Sequence, residues 1–128
     1  MLEVIVFNNQ ISNKMKDFLL VFRAELDKMP KGASPEQMQA NTKRWMDWVG
    51  GIAAQNKLTD RGNGLLHAGK VVQADNVIAD GPYTEIKECI VGYTIVKAAS
   101  LEEATELVAG CPVLAVGGNV EVREIRAI

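Results

Sequence analysis

Two short apolar blocks open the chain. Residues 2–7 (LEVIVF) and 18–22 (FLLVF) both have the character of strands. The second is apolar at every position, so it asks for cover on both faces. The period then changes. Ser34 is a good N-cap, Pro35 suits the first helical position, and Gln37 stands at the capping-box position. Met38, Thr42, Trp45, Val49 and Ile52 follow at steps of four and three, the stripe of an amphipathic helix. That helix reaches Gln55 or so, about 30 Å if regular, and Gly50-Gly51 weakens its last turns. Trp45 and Trp48 read first as core and boundary packing, with a stacking platform for a ligand as the alternative.

Between Asp60 and Asp80 strand and turn signals alternate. Arg61-Gly62-Asn63-Gly64 is loop-like, Leu65-Leu66 begins a strand, and Ala68-Gly69-Lys70 can turn it. Val71-Val72 and Val77-Ile78, separated by Ala74-Asp75-Asn76, predict a small hairpin. Residues 89–96 (CIVGYTIV) are the strongest strand, with Val91, Tyr93 and Ile95 on one face and Ile90, Gly92, Thr94 and Val96 on the other. Ser100 caps a second helix, with Glu103 at the capping-box position and Leu101, Ala104, Leu107 and Val108 as its buried stripe. Gly110 and Pro112 end it. Gly117-Gly118-Asn119 turns into a last strand over residues 120–126.

This order predicts an α+β fold: a ferredoxin-like split β-α-β sheet with an inserted hairpin. Right-handed crossovers place both helices on one face of the sheet. The other face needs a partner, and a second copy is the simplest one. Residues 1–13 read as an N-terminal extension carrying a candidate extra edge strand, and residues 14–128 as the domain itself.

Composition narrows the function. A chain of 128 residues is one domain's worth. Its formal net charge of −2 argues against nucleic acid or an anionic membrane as the main partner. The longest uncharged stretch, residues 107–120, is too short to span a bilayer. No basic n-region of a signal peptide opens the chain, and Cys89 and Cys111 form no C-x-x-C motif. The expectation is a reduced cytoplasmic protein. A single His is too few for the common zinc sites, and no metal or cofactor is expected. Gly62-Asn63-Gly64 and Gly117-Gly118 match no phosphate-binding fingerprint and read as turns. No Ser occupies a G-x-S-x-G elbow.

The densest polar cluster is Asp80-Gly81-Pro82-Tyr83-Thr84-Glu85-Ile86-Lys87-Glu88. It leads into the central strand, so its side chains are placed to line the mouth of an enclosed face. Glu85 and Lys87 alternate on one side of an extended chain. Tyr83 adds a hydroxyl on an aromatic body. Asp80, before Gly-Pro, can accept backbone N–H bonds as in an Asx-turn. The plainer account is a surface turn with solvated charges.

This run, followed by Gly92-Tyr93, resembles the signature of the DGPF branch of the YCII-related family: Asp-Gly-Pro-Phe, then Glu, then Lys-Glu, then Gly-Tyr or Gly-Phe. Tyr83 stands where the signature has Phe. Cys111-Pro112 is similar to the family's closing Cys-Pro or Ile-Pro. Val120-Glu121-Val122-Arg123 is similar to its terminal Val-Glu-Val-Arg-Pro, with Glu124 in the place of Pro. The resemblance runs from Lys16 to Ile128. It implies a dimeric α+β barrel, in which two sheets of a homodimer face each other around a cleft. It also implies, for some members, a role beside extracytoplasmic-function sigma factors, and for others in the wider family, lyase or dehydrohalogenase chemistry on lactones. Those relatives use a His on the first helix and an Asp after the second as an acid–base dyad. Here the corresponding positions fall at Trp45 and Cys111. Trp exchanges no proton at neutral pH, so the dyad chemistry is not carried over.

Two readings follow. In one, the cleft binds a small molecule through Asp80, Tyr83, Glu85, Lys87, Arg61 and His67 without turnover, or the dimer serves a regulatory partner. In the other, the same cleft is an active site for lyase- or isomerase-like acid–base chemistry on a carbonyl compound or lactone. Asp80 or Glu85 would then be the base, with help from His67, and Lys87 or Arg61 would hold an anion or polarise a carbonyl.

Overall fold

A computed structural model describes residues 14–25, 32–81 and 88–128. The candidate edge strand at residues 2–7 lies outside the described residues, as do residues 82–87. The first described strand, β1 (Lys16–Glu25), alternates sharply: Phe18, Leu20, Phe22 and Ala24 are buried, while Leu19, Val21 and Arg23 on the other face are half-buried. α1 (Pro35–Ala54) begins where the capping box predicts. Ser34 Oγ accepts from the Gln37 N–H, and the Gln37 side chain returns the bond to the Ser34 N–H. The remaining elements are β2 (Leu58–Gly64), β3 (Gly69–Val72), β4 (Ile78–Gly81), β5 (Glu88–Ala98), α2 (Leu101–Glu106), α3 (Pro112–Ala115) and β6 (Asn119–Glu124).

Strands β2, β5, β1 and β6 form one antiparallel sheet in that order, and β3 with β4 form a separate hairpin. With the hairpin set aside, the order is that of the ferredoxin-like split β-α-β sheet. Both longer helices cover one face. The core between them and the sheet is Phe18, Leu20, Phe22, Ile52, Val96, Ala104, Leu107, Cys111 and Val113, with Trp45 and Trp48 packed against it. Burying each large side chain contributes about 1.5–3 kcal/mol.

Four local readings of the sequence are corrected. The stretch Arg61–Gly64 is strand, not loop: it is the bulged half of β2, and its pairing with β5 slips twice, between Leu58 and Asp60 and between Asp60 and Asn63. The glycines that suggested a turn are what let an edge strand bulge. Leu65-Leu66, expected to begin a strand, follows the end of β2 instead. On β5 the register shifts opposite Phe22 and Arg23, so Gly92 pairs with Phe22 and Ile90 with Arg23. That bulge at Val91 moves Ile90 away from the helix-covered face, where alternation alone placed it with Gly92, Thr94 and Val96, and puts Cys89 there instead. Finally, Pro112 does not only terminate. It occupies the first position of α3, with Cys111 as N-cap.

Candidate functional site

α1 is amphipathic over its length, yet only its C-terminal half is pinned. Ile52 is buried and Trp45, Trp48 and Val49 are half-buried, whereas Met38 and Thr42, earlier in the same stripe, are exposed. The stripe therefore outruns the core. Beneath it, between α1 and strands β2 and β5, lies a cleft of about 580 Å³. A hollow of this size is within the range of small-molecule sites.

Its wall is aromatic. Phe22 and Trp45 have ring centroids 4.9 Å apart at 58°, and Trp48 stands edge-on to both at 5.8 and 5.9 Å. Trp48 is fixed by its Nε1–H, which donates to the Leu107 carbonyl at 3.1 Å. No such bond holds the Trp45 Nε1–H among the described residues. The floor is rich in glycine: Gly62, Gly64 and Gly92 line it among Arg61, Asn63, Val91, Tyr93 and Thr94. Gly62 is required there. It has φ +70, and a Cβ would collide with the Tyr93 carbonyl. The bulge is held by Asp60, whose carboxylate accepts from the Gly62 N–H at 2.8 Å, and by the buried Thr94 hydroxyl, which donates to the Arg61 carbonyl at 2.9 Å.

Polar chemistry in the cleft comes from Arg61, Asn41, Thr42, Asn63 and Thr94. Arg61 is the one charged residue among the described lining, and none of the ion pairs between described residues engages it.

The residues singled out from the sequence divide as follows. Arg61 lines the cleft. His67 lines a different hollow, of about 320 Å³, beside the hairpin with Lys70, Arg23, Glu88 and Cys89. Asp80 is on β4, where its carboxylate meets the Lys70 ammonium in an exposed pair. The structure thus does not bring Arg61, His67 and Asp80 to one cavity. Tyr83, Glu85 and Lys87 lie outside the described residues. Phe22 and Thr94 read from the sequence as strand positions, and Trp45 read first as packing, with a stacking platform for a ligand as the alternative. Their signal as cleft residues was the indole pair on a stripe whose first turns have no core to meet.

Neither Trp45 nor Cys111, the two positions set against an acid–base dyad in the sequence, offers one. Trp45 is part of the aromatic wall. Cys111 is a buried free thiol, and burial pushes it up to about 11. It stays protonated at neutral pH. Cys89 is raised in the same way by burial. Among the described residues no His, Cys, Asp or Glu cluster could hold a metal ion, and no helix is long and apolar enough to cross a membrane.

No curated protein matches the chain. A family model, the YCII-related domain, matches residues 20–128. That span begins inside β1 and takes in every later element, including all of the cleft, so the chain belongs to the YCII-related domain family.

Proposed function

We propose that this YCII-related domain works as a homodimer that binds a small molecule in the cleft between α1 and strands β2 and β5. The observation that carries the reading is the cleft itself: a packed indole and phenyl pair, a glycine-rich floor and an arginine without an ion-pair partner among the described residues. Trp45 is only half-buried although its ring is packed in place, and the bulge beside it needs glycine at Gly62. The family resemblance implied a cleft between two facing sheets. In this reading the ligand instead sits on the helix-covered side, and the opposite face of the sheet is left for the second copy. That face carries Leu19, Val21, Tyr93 and Ile95 at its centre and charged residues along β6, the apolar-centre, polar-rim pattern of protein interfaces.

A fragment screen by NMR on the ¹⁵N-labelled protein tests the reading. Trp45 and Trp48 are the only indoles in the chain. Small planar fragments should move the Trp45 indole signal more than that of Trp48, and Val49→Trp, which fills the cleft, should abolish the response. A folded protein in which no fragment moves Trp45 would overturn it.

A further inference from the structure

Resting on that reading of the cleft, we propose that its ligand class is a flat, conjugated monoanion. The charged end, a carboxylate or similar oxyanion, lies at Arg61, and the planar body lies between the Trp45 wall and the glycine floor.

The charge follows from what surrounds Arg61. It is the single charged residue of the described lining and has no ion-pair partner among the described residues. Asp60, next to it in sequence, accepts from the Gly62 N–H and forms no ion pair with it among the described residues. The described lining of the cleft therefore presents one charged side chain, and it is positive. A guanidinium prefers a planar oxyanion, which it can meet with two parallel hydrogen bonds. The other polar lining groups, Asn41, Thr42 and Asn63, are neutral. A dianionic phosphate would be left half-neutralised there, and a single negative charge is matched.

The shape follows from the two walls. Trp45 is backed by Phe22 and by Trp48, and Trp48 is itself fixed to the Leu107 carbonyl, so the indole is held before any ligand arrives. Across from the helix, Gly62, Gly64 and Gly92 thin the sheet side of the cleft among Asn63, Val91 and Thr94. A ring backed by other rings, facing a glycine-rich strand pair, favours a flat body that can stack on it. Arginine and indole also both attract π-systems face-on.

The test uses one flat body with and without the charge: 1-naphthoate against 1-naphthamide, titrated into the ¹⁵N-labelled full chain, reading the Trp45 indole signal. Naphthoate should bind about tenfold or more tighter than the amide, the scale of a hydrogen bond to a charged partner. Arg61→Gln should bring naphthoate down to the affinity of the amide, and Arg61→Lys should fall between the two. The Arg61 side chain has no described partner, and its carbonyl bond to Thr94 survives these changes. Equal binding of acid and amide, or unchanged naphthoate binding in a folded Arg61→Gln, would overturn the anion assignment and leave the cleft reading standing. If neither probe moves Trp45 in the folded protein, this inference falls, and the fragment screen decides the cleft reading separately.

Discussion

At residue scale the cleft depends on one backbone conformation. Gly62 sits at φ +70 with its hydrogen-atom side against the Tyr93 carbonyl, so any Cβ there meets backbone that cannot move cheaply. Gly62→Ala should cost about 2 kcal/mol or more in urea unfolding, combining left-handed strain with the collision. Gly64 is the control. Its Cβ would touch only the Val91 carbonyl, at an ordinary 3.8 Å, so Gly64→Ala should be neutral or stabilise by up to about 1 kcal/mol. The same scale holds a pH signature. The Ala99 N–H donating to Glu103 Oε1 at 3.0 Å, with Lys57 3.4 Å away, holds the Glu103 carboxyl below its ordinary 4.5. A carboxyl lowered in the folded state adds stability above its unfolded value, and that stability is lost as pH falls through the lowered native value. Glu103→Gln should therefore be less stable than the parent at pH 7, with the two converging below pH 4.5. Urea midpoints across pH 3–7 check this, and parallel curves would refute it.

At element scale, what could be read in the sequence was whatever local chemistry specifies. Ser34 and Ser100 cap their helices as their spacing implies. The hairpin of β3 and β4 forms where Val71-Val72 and Val77-Ile78 flank the Asp75-Asn76 turn. Two features could not be read because they belong to pairs of strands. The bulge at Val91 arises from the register between β1 and β5, and it reassigns Ile90 and Cys89 to opposite faces. The bulges of β2 come from pairing an edge strand rich in glycine, which alone resembles a turn. The cleft was half-legible. Arg61 stood out as a cation near turn-forming residues. Trp45, however, lies in a perfect helical stripe, and only the tertiary fold reveals that the stripe begins before the core does. Asp80 pairs with Lys70 across the hairpin, a partner that only strand register supplies, and the Asx-turn expected after it falls on residues outside the described ones. An exposed pair of that kind contributes about 0–1 kcal/mol.

At the scale of the whole molecule, the described residues place no helix on one face of the sheet. The register sets Leu19 opposite Ile95 and Val21 opposite Tyr93, an apolar block shared by the two central strands. On the flanking strand, Arg123 lies opposite Leu19 and Glu121 opposite Val21. Glu121 is held below its ordinary value by the Arg23 guanidinium first and Arg123 second, so this edge is a fixed charged row, not a loose fringe. A twofold contact of two such faces would bury the apolar block and leave the charges at the rim, where they set orientation more than affinity. The competing surface is on α1, where Met38 and Met46 are about 60% exposed. The two assemblies are separable. Light scattering at micromolar concentration should give a dimeric mass for the parent chain. Val21→Glu places a second carboxylate opposite Glu121 and buries it in any sheet-to-sheet contact, so this variant should be monomeric and folded. Met38→Glu with Met46→Glu should leave the dimer intact. A monomeric parent, or a dimer that survives Val21→Glu and is lost with the two methionines, would remove the sheet face from the assembly and return Leu19, Val21, Tyr93 and Ile95 to the surface of a monomer.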